Sequence, residues 1–212
     1  DVTGVGTSRQ QIGATGYSTN LAIFAYGSTD SYLSMSNLVN SSGVIAADVT
    51  GVGTIRAAGG AARYGSGLAI FVGGGNEGGN FNTSNKVNSS GVIADDVTGV
   101  GTGSYGKASA AYGGDKAFFG YGYIAGGNLI SLKNLCSNTG VIAADVTGVG
   151  TARAFPASAS YGGDLDKAFL AYGATAGVTN VKNLVNNVGV IADDVTGVGT
   201  SRKGCYGVEY GY

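Results

Sequence analysis

The chain has 212 residues, 12 Lys and Arg against 13 Asp and Glu, a net charge of −1, and neither His nor Trp. That length allows one domain with a real core. The singly scattered cations exclude the clustered positive charge by which a nucleic-acid binder neutralises phosphates. Gly occurs 41 times, close to three times its usual share of about 7%. This argues against helices, since each interior Gly costs about 1 kcal/mol relative to Ala. The 43% hydrophobic content argues against disorder. No apolar run reaches membrane-spanning length, so no membrane insertion is expected. A start at Asp1 without Met suggests a processed product or a fragment.

Internal repetition organises the sequence. The string DVTGVGT begins at Asp1, Asp48, Asp96 and Asp145, and again at Asp194. The chain therefore reads as a single repeat domain, 1–212, with four full repeats and a partial fifth, 194–212. Each repeat carries four apolar segments bounded by Gly, Asn, Ser or Asp, the pattern of short strands and turns.

The first segment follows the motif with Arg9, Arg56, Arg153 or Arg202, departs to Ser104 in the third repeat, runs through small residues, and ends at Tyr17, Tyr64, Tyr112 or Tyr161. Small residues suit the most crowded strand. The second is the most apolar: 21–27, 68–74, 116–122 and 167–173. It is apolar on both parities, which predicts burial of both faces and places Phe24, Phe71, Phe119 and Leu170 between sheets. The third holds Asn37, Asn85, Asn134 and Asn183 in one column. The fourth is a Val-Ile pair, from Val44-Ile45 to Val190-Ile191, leading into the next motif.

Four strands in a repeat of 40–50 residues is the arithmetic of a propeller blade. The expected fold is all-β, a β-propeller of four-stranded blades; a stacked β-solenoid with two rungs per repeat is the alternative. The residues also resemble the kelch family. The turn with Arg appears as Thr54-Ile55-Arg56 and Thr151-Ala152-Arg153, and the aliphatic strand ending in a glycine pair as 68–74 with Gly73-Gly74. Elsewhere the pair reads Tyr26-Gly27, Tyr121-Gly122 and Tyr172-Gly173, and the Trp usual in the fourth strand is absent. The pattern is similar to Gly-, Ala- and Tyr-rich kelch-like proteins of tailed phages and environmental viral sequences. The resemblance implies the fold more than any activity.

Catalysis needs a poised acid, base, nucleophile or metal. Without His, the commonest general base and metal ligand is missing, and neither Cys136 nor Cys205 has the partner that activates a thiol. Cys136 stands where other repeats have Val39, Val87 and Val185, and reads as a small buried hydrophobe. No enzyme activity, cofactor or metal site is expected. DVTGVGT lacks the Lys of a phosphate loop; it reads as a turn whose Asp caps local amides and whose Gly takes positive φ. The doubled carboxylates Asp95-Asp96 and Asp193-Asp194 offer at most a weak Ca²⁺ site, and the Arg column is the more natural partner of the motif Asp.

The leading functional expectation is a structural or adhesive module of a virion fibre or extracellular appendage, self-assembling and displayed outside the cell or on a virion. The alternative is a lectin-like module that holds a cell-surface glycan between the variable loops 27–31, 75–80, 123–128 and 174–177, with Tyr26, Tyr121, Tyr172 and Asn128 as binding residues. Three N-x-S/T sequons, at Asn40, Asn82 and Asn88, are candidate glycosylation sites. The partial fifth repeat would expose an unpaired first strand, which points to Tyr206, Tyr210 and Tyr212 as an oligomer contact.

Overall fold

The computed structural model describes residues 4–209. Four of its sheets are three-stranded and antiparallel, one per repeat. The first joins β1 (Gly13–Ser18), β2 (Leu21–Ala25) and β3 (Ser36–Val39). The second joins β4 (Gly60–Tyr64), β5 (Leu68–Val72) and β8 (Ser84–Val87), with the small hairpin β6 (Gly75–Asn76) and β7 (Gly79–Asn80) beside it. The third joins β9 (Ala108–Tyr112), β10 (Lys116–Tyr123) and β11 (Leu129–Cys136). The fourth joins β12 (Ala157–Tyr161), β13 (Lys167–Ala171) and β14 (Lys182–Val185). Among the described residues, the only helix is two 3₁₀ turns, Ala125–Gly127 and Gly163–Leu165. In each three-stranded sheet the second strand lies in the centre, so the most apolar segment is paired on both sides.

The solenoid alternative needs parallel pairing between successive rungs. Every described ladder is antiparallel and joins strands of one repeat. The sheets meet face to face instead. The first strands lie in series, β1 against β4, β4 against β9 and β9 against β12, and their small residues permit that approach. Ser109 Oγ donates to the Ala61 carbonyl and Ser158 Oγ to the Ser109 carbonyl, both at 2.9 Å, so hydroxyls satisfy backbone groups where neighbouring first strands touch.

The expected fourth strand is reduced to two bridges per sheet. In the first repeat these are Val39 to Ile45 and Ser36 to Val49. Between them the Asn37 side-chain amide donates to the Ala46 carbonyl at 3.1 Å. The same bond recurs from Asn85, Asn134 and Asn183 to Ala94, Ala143 and Ala192. A side chain thus interrupts the backbone ladder between these bridges, and the same Asn also donates to the following Asp.

The three interfaces between sheets share one plan, with Ile against Phe in the first two and Phe against Leu in the third. Ile23 and Tyr17 receive Ala69, Phe71 and Val87. Ile70 and Tyr64 receive Ala117, Phe119 and Cys136. Phe118 and Tyr112 receive Ala168, Leu170 and Val185. Phe71, Phe119 and Leu170 are buried, as the two-sided apolar pattern predicts, and Cys136 is wholly buried among them. Phe24 departs from the expectation. It is only half-buried, because the face it occupies belongs to the first sheet and no described sheet lies before it. Phe119→Ala should therefore cost about 3–5 kcal/mol, the usual range for a fully buried Phe. Phe24→Ala should cost less than half as much; equal losses in urea unfolding would contradict this packing order.

Candidate functional site

Four columns of the repeat converge on one polar cluster per sheet. In the cluster of the second sheet, the carboxylate of Asp96, which opens the third repeat, accepts the Thr54 backbone N–H at 2.9 Å and the Asn85 amide at 2.8 Å, and also the Thr54 hydroxyl. Asn85 Oδ1 accepts from Arg56 at 2.6 Å. Arg56 also donates to the Thr54 carbonyl at 3.1 Å, lies 3.7 Å from Asp96, and sits 3.8 Å above the Tyr26 ring of the preceding repeat. The fourth sheet has a like set, with Asp194 from the start of the fifth repeat, Thr151, Asn183, and Arg153 over Tyr121 at 4.8 Å. The motif Asp therefore does not cap its own turn. It binds the Thr of the previous copy, 41 to 43 residues earlier. The second Gly of the first four motifs makes room for this contact. Gly53 has φ +74°, and a Cβ there would collide with the Asp96 carboxylate and lie 2.8 Å from the Asn85 amide.

This arrangement occupies the groups that ligand chemistry would need. Burial pushes the Asp96, Asp145 and Asp194 carboxyls up, but the hydrogen bonds from Thr and Asn outweigh it and hold all three below the usual range. The Thr7 hydroxyl, then the Asn37 amide, lowers Asp48 in the same way. Arg56 and Arg153 are buried, and that burial lowers their pKa despite the facing Tyr and Asp. Arg153 Nε finds no acceptor.

Tyr26 and Tyr121 are buried, each beneath a guanidinium, so neither ring offers an open face to a sugar. Burial pushes the Tyr121 hydroxyl up to about 12 against the opposing pull of Arg153, and it donates to the Val149 carbonyl at 2.7 Å. Tyr172 is half-buried under Arg202, 4.5 Å away. These tyrosines tie one repeat to the next. Asn128 alone among the expected binding residues is exposed, just past the 3₁₀ turn of the 123–128 loop.

At that end of the molecule lies an aromatic cluster that the repeat pattern does not announce. Tyr105 stacks on Tyr123 with ring centroids 5.4 Å apart, and Phe155 stands edge-on to Tyr105 at 5.9 Å. All three are half-buried. Tyr105 and Phe155 fall in the turn after the motif, between Arg or Ser and the first strand, a segment whose departures from the repeat could have marked them. A small space lined by Tyr26, Arg56, Gly60, Phe71 and Gly73 encloses about 10 Å³, room for one water and no more.

The third repeat breaks the pattern in a paired way. Ser104 replaces the Arg, and Gly73 replaces the Tyr over which that Arg would lie. Lys107 fills the gap: a Cβ at Gly73 would run into its Cε and Cδ. Desolvation brings the Lys107 amine down to about 8, opposed by the nearby Asp145.

The sequons differ in their freedom. Asn40 and Asn88 are exposed and use only Oδ1, which accepts from backbone amides two and four residues on. The Asn82 amide nitrogen is engaged with the Gly99 and Gly101 carbonyls. A glycan on Asn82 would displace those bonds; one on Asn40 or Asn88 would not.

The C-terminal segment lies on the fourth sheet. The Gly173 N–H donates to the Arg202 carbonyl at 2.9 Å, and the Gly204 N–H to the Phe155 carbonyl at 3.1 Å. Gly207 abuts Ser158, and burial raises the Glu209 carboxyl against the pull of Arg63. Tyr206 is 84% exposed. Tyr210 and Tyr212 lie outside the described residues.

No known protein-family profile matches the chain. No curated protein matches it either. Among solved structures it is similar to one described as the structure of YjhT, with a TM-score of 0.68 at 14% identity, covering 93% of this chain and 69% of that one. At that identity the likeness concerns the fold alone.

The polar clusters make stability depend on pH in two opposite ways. Carboxyls held below their unfolded values add stability that is complete above about pH 4 and is lost as pH falls through the lowered values. The urea midpoint should therefore drop between about pH 4 and pH 2, and Asp96→Asn should lower it at neutral pH while flattening the drop. Lys107 has the opposite sign. A lysine lowered on folding weakens the fold below its folded pKa and stops doing so as pH rises toward the unfolded value of about 10.4. Lys107→Met should raise stability by about 1–3 kcal/mol at pH 7 and much less near pH 10; an equal gain at both pH values would contradict the role of charge burial.

Proposed function

We propose that the four sheets are blades of a kelch-type β-propeller and that the chain is a non-catalytic structural or adhesive module, displayed on a virion fibre or extracellular appendage and able to self-assemble. The observation that carries this reading is where the polar side chains are engaged. Each recurring Arg, Asn, Asp and Thr of the second and fourth repeats bonds within the framework, and each Arg covers a Tyr of the repeat before it. Such side chains hold a scaffold rigid and leave little for chemistry. Face-to-face sheets with small-residue first strands in series support the propeller geometry. The kelch resemblance of the turn, the aliphatic strand and its Gly ending supports the same reading.

The aromatic cluster of Tyr105, Tyr123 and Phe155, with Asn128 nearby in sequence, supports a second reading. Half-exposed rings beside an exposed amide are the chemistry by which a lectin-like module stacks and hydrogen-bonds a sugar. This reading puts glycan recognition on the 123–128 loop rather than on Tyr26, Tyr121 and Tyr172.

Gold-labelled antibody against the chain, applied to intact particles and cells of the source, tests the main reading. Label on fibres or surface appendages is the expected result; label confined to the soluble cell interior would refute it. Titration of free saccharides against the parent and Tyr123→Ala tests the second, which requires binding that the variant loses.

A further inference from the structure

One apolar interface is built three times inside this chain, and each of its two halves is left over once. The donating half is a set of Ala, a large apolar residue, Val or Cys, and Ile. In the second sheet it is Ala69, Phe71, Val87 and Ile93, at 0–7% exposure. The fourth sheet repeats it with Ala168, Leu170, Val185 and Ile191, at 0–2%. In the first sheet the same positions are Ala22, Phe24 and Val39, all half-buried, and Ile45, 42% exposed. The accepting half is Tyr112, Phe118 and Leu135 in the third sheet, where it packs on the fourth. In the fourth sheet it is Tyr161 and Phe169, half-buried with ring centroids 6.2 Å apart, and Leu184, 42% exposed. Among the described residues, no sheet packs on the donating face of the first sheet or on the accepting face of the fourth.

A second observation says what fits there. Residues 197–202 read GVGTSR, and residues 4–9 read the same. The C-terminal copy lies on the fourth sheet: Arg202 covers Tyr172, the Tyr172 hydroxyl donates to the Val198 carbonyl at 3.1 Å, and the Gly173 N–H donates to Arg202. In the N-terminal copy these six residues lead directly into β1 and β2, which carry Ala22 and Phe24. We infer that the first sheet of one copy of this chain docks on the fourth sheet of another, with residues 4–9 of the incoming copy taking the place held by 197–202. This rests on the self-assembling reading above and moves the contact from the Tyr-rich tail to the two sheet faces.

The exchange replaces six residues by the same six, so the bonds broken and the bonds re-formed are alike, as in other exchanges of identical elements between copies. The net gain is the apolar area of Ala22, Phe24, Val39 and Ile45 buried against Tyr161, Phe169 and Leu184. Donor and acceptor are different surfaces, so the contact is heterologous and propagates into an open filament or, if its rotation closes, a ring.

Light scattering over a concentration series, on the full chain and on two variants, tests this. Ile45→Asp spoils the donating face and Leu184→Asp the accepting face; both positions are exposed in the single chain, so each variant should keep the parent's circular dichroism. The parent should associate with rising concentration. Each variant alone should associate at least about tenfold more weakly, since a carboxylate would be buried without a partner. An equimolar mixture should form dimers that grow no further, because only one competent junction remains. Variants that associate as the parent does, or a mixture that stays monomeric, would overturn the sheet-face assignment while leaving self-assembly standing. A parent that is monomeric throughout would overturn both, and leave the faces to another partner or to further chain.

Discussion

The structure depends on a guanidinium that is out of water. Arg56 and Arg153 are 1% and 0% exposed, and an isolated charge at such depth is strongly unfavourable. Each is made tolerable by a fixed set of neighbours: a Thr carbonyl, an Asn amide oxygen, a carboxylate near 4 Å or beyond it, and a Tyr ring from the repeat before. Removing the Tyr or the Asn leaves the guanidinium uncompensated, so Arg and Tyr are kept or lost as a pair, while the Thr–Asp–Asn bonds persist without them. The third repeat shows the loss of that pair, with Asp145 still bound to Thr102 and Asn134. With Ser104 in place of the Arg, the Tyr is also gone, and Gly73 leaves the space through which Lys107 runs. The clusters therefore couple neighbouring repeats as well as closing each one, because the ring that covers a guanidinium always comes from the preceding repeat.

Much of the fold was legible because the repeat periodicity reports burial directly. The second segments are apolar on both parities, and they became the central strands. Cys136 stands in a Val column, and it is buried among Ala117 and Phe119. Pattern within one chain could not show that the motif Asp reaches back 41 to 43 residues to a Thr. Asp next to Gly has an adequate local explanation as a turn, and only the path of the chain brings the two motif copies together. The fourth segment was overread for a related reason. Val-Ile pairs have β character, yet the Asn side chain one column earlier takes the carbonyl the ladder needs.

The tyrosines show where residue type misleads about function. Tyr26, Tyr121 and Tyr172 precede a Gly at the rim of the central strand, which suggests a displayed ring. Their φ values of 62°, 62° and 64° turn the side chains back under the next repeat's Arg instead. The more open aromatics, Tyr105, Tyr123 and Phe155, lie where the repeat is least regular. Regular positions are taken up by the framework, and irregular ones remain free for recognition.

Stacked repeats draw stability from nearest neighbours, and their outermost units ordinarily carry a polar outer face. Here the outer faces of the first and fourth sheets keep the apolar residues of the interior positions, including Phe24, Ile45, Phe169 and Leu184. The three interior interfaces are related but not identical, since Phe71 and Phe119 meet Ile23 and Ile70 whereas Leu170 meets Phe118. The Arg–Tyr stack carries the shared plan across the junction, since Tyr172 is covered by Arg202 from a segment whose residues 197–202 match residues 4–9. The shared plan of the interior interfaces is thus also what suits these two outer faces to the junction inferred above. An intramolecular stack is favoured over an assembled one by local concentration and by the ordering cost of association.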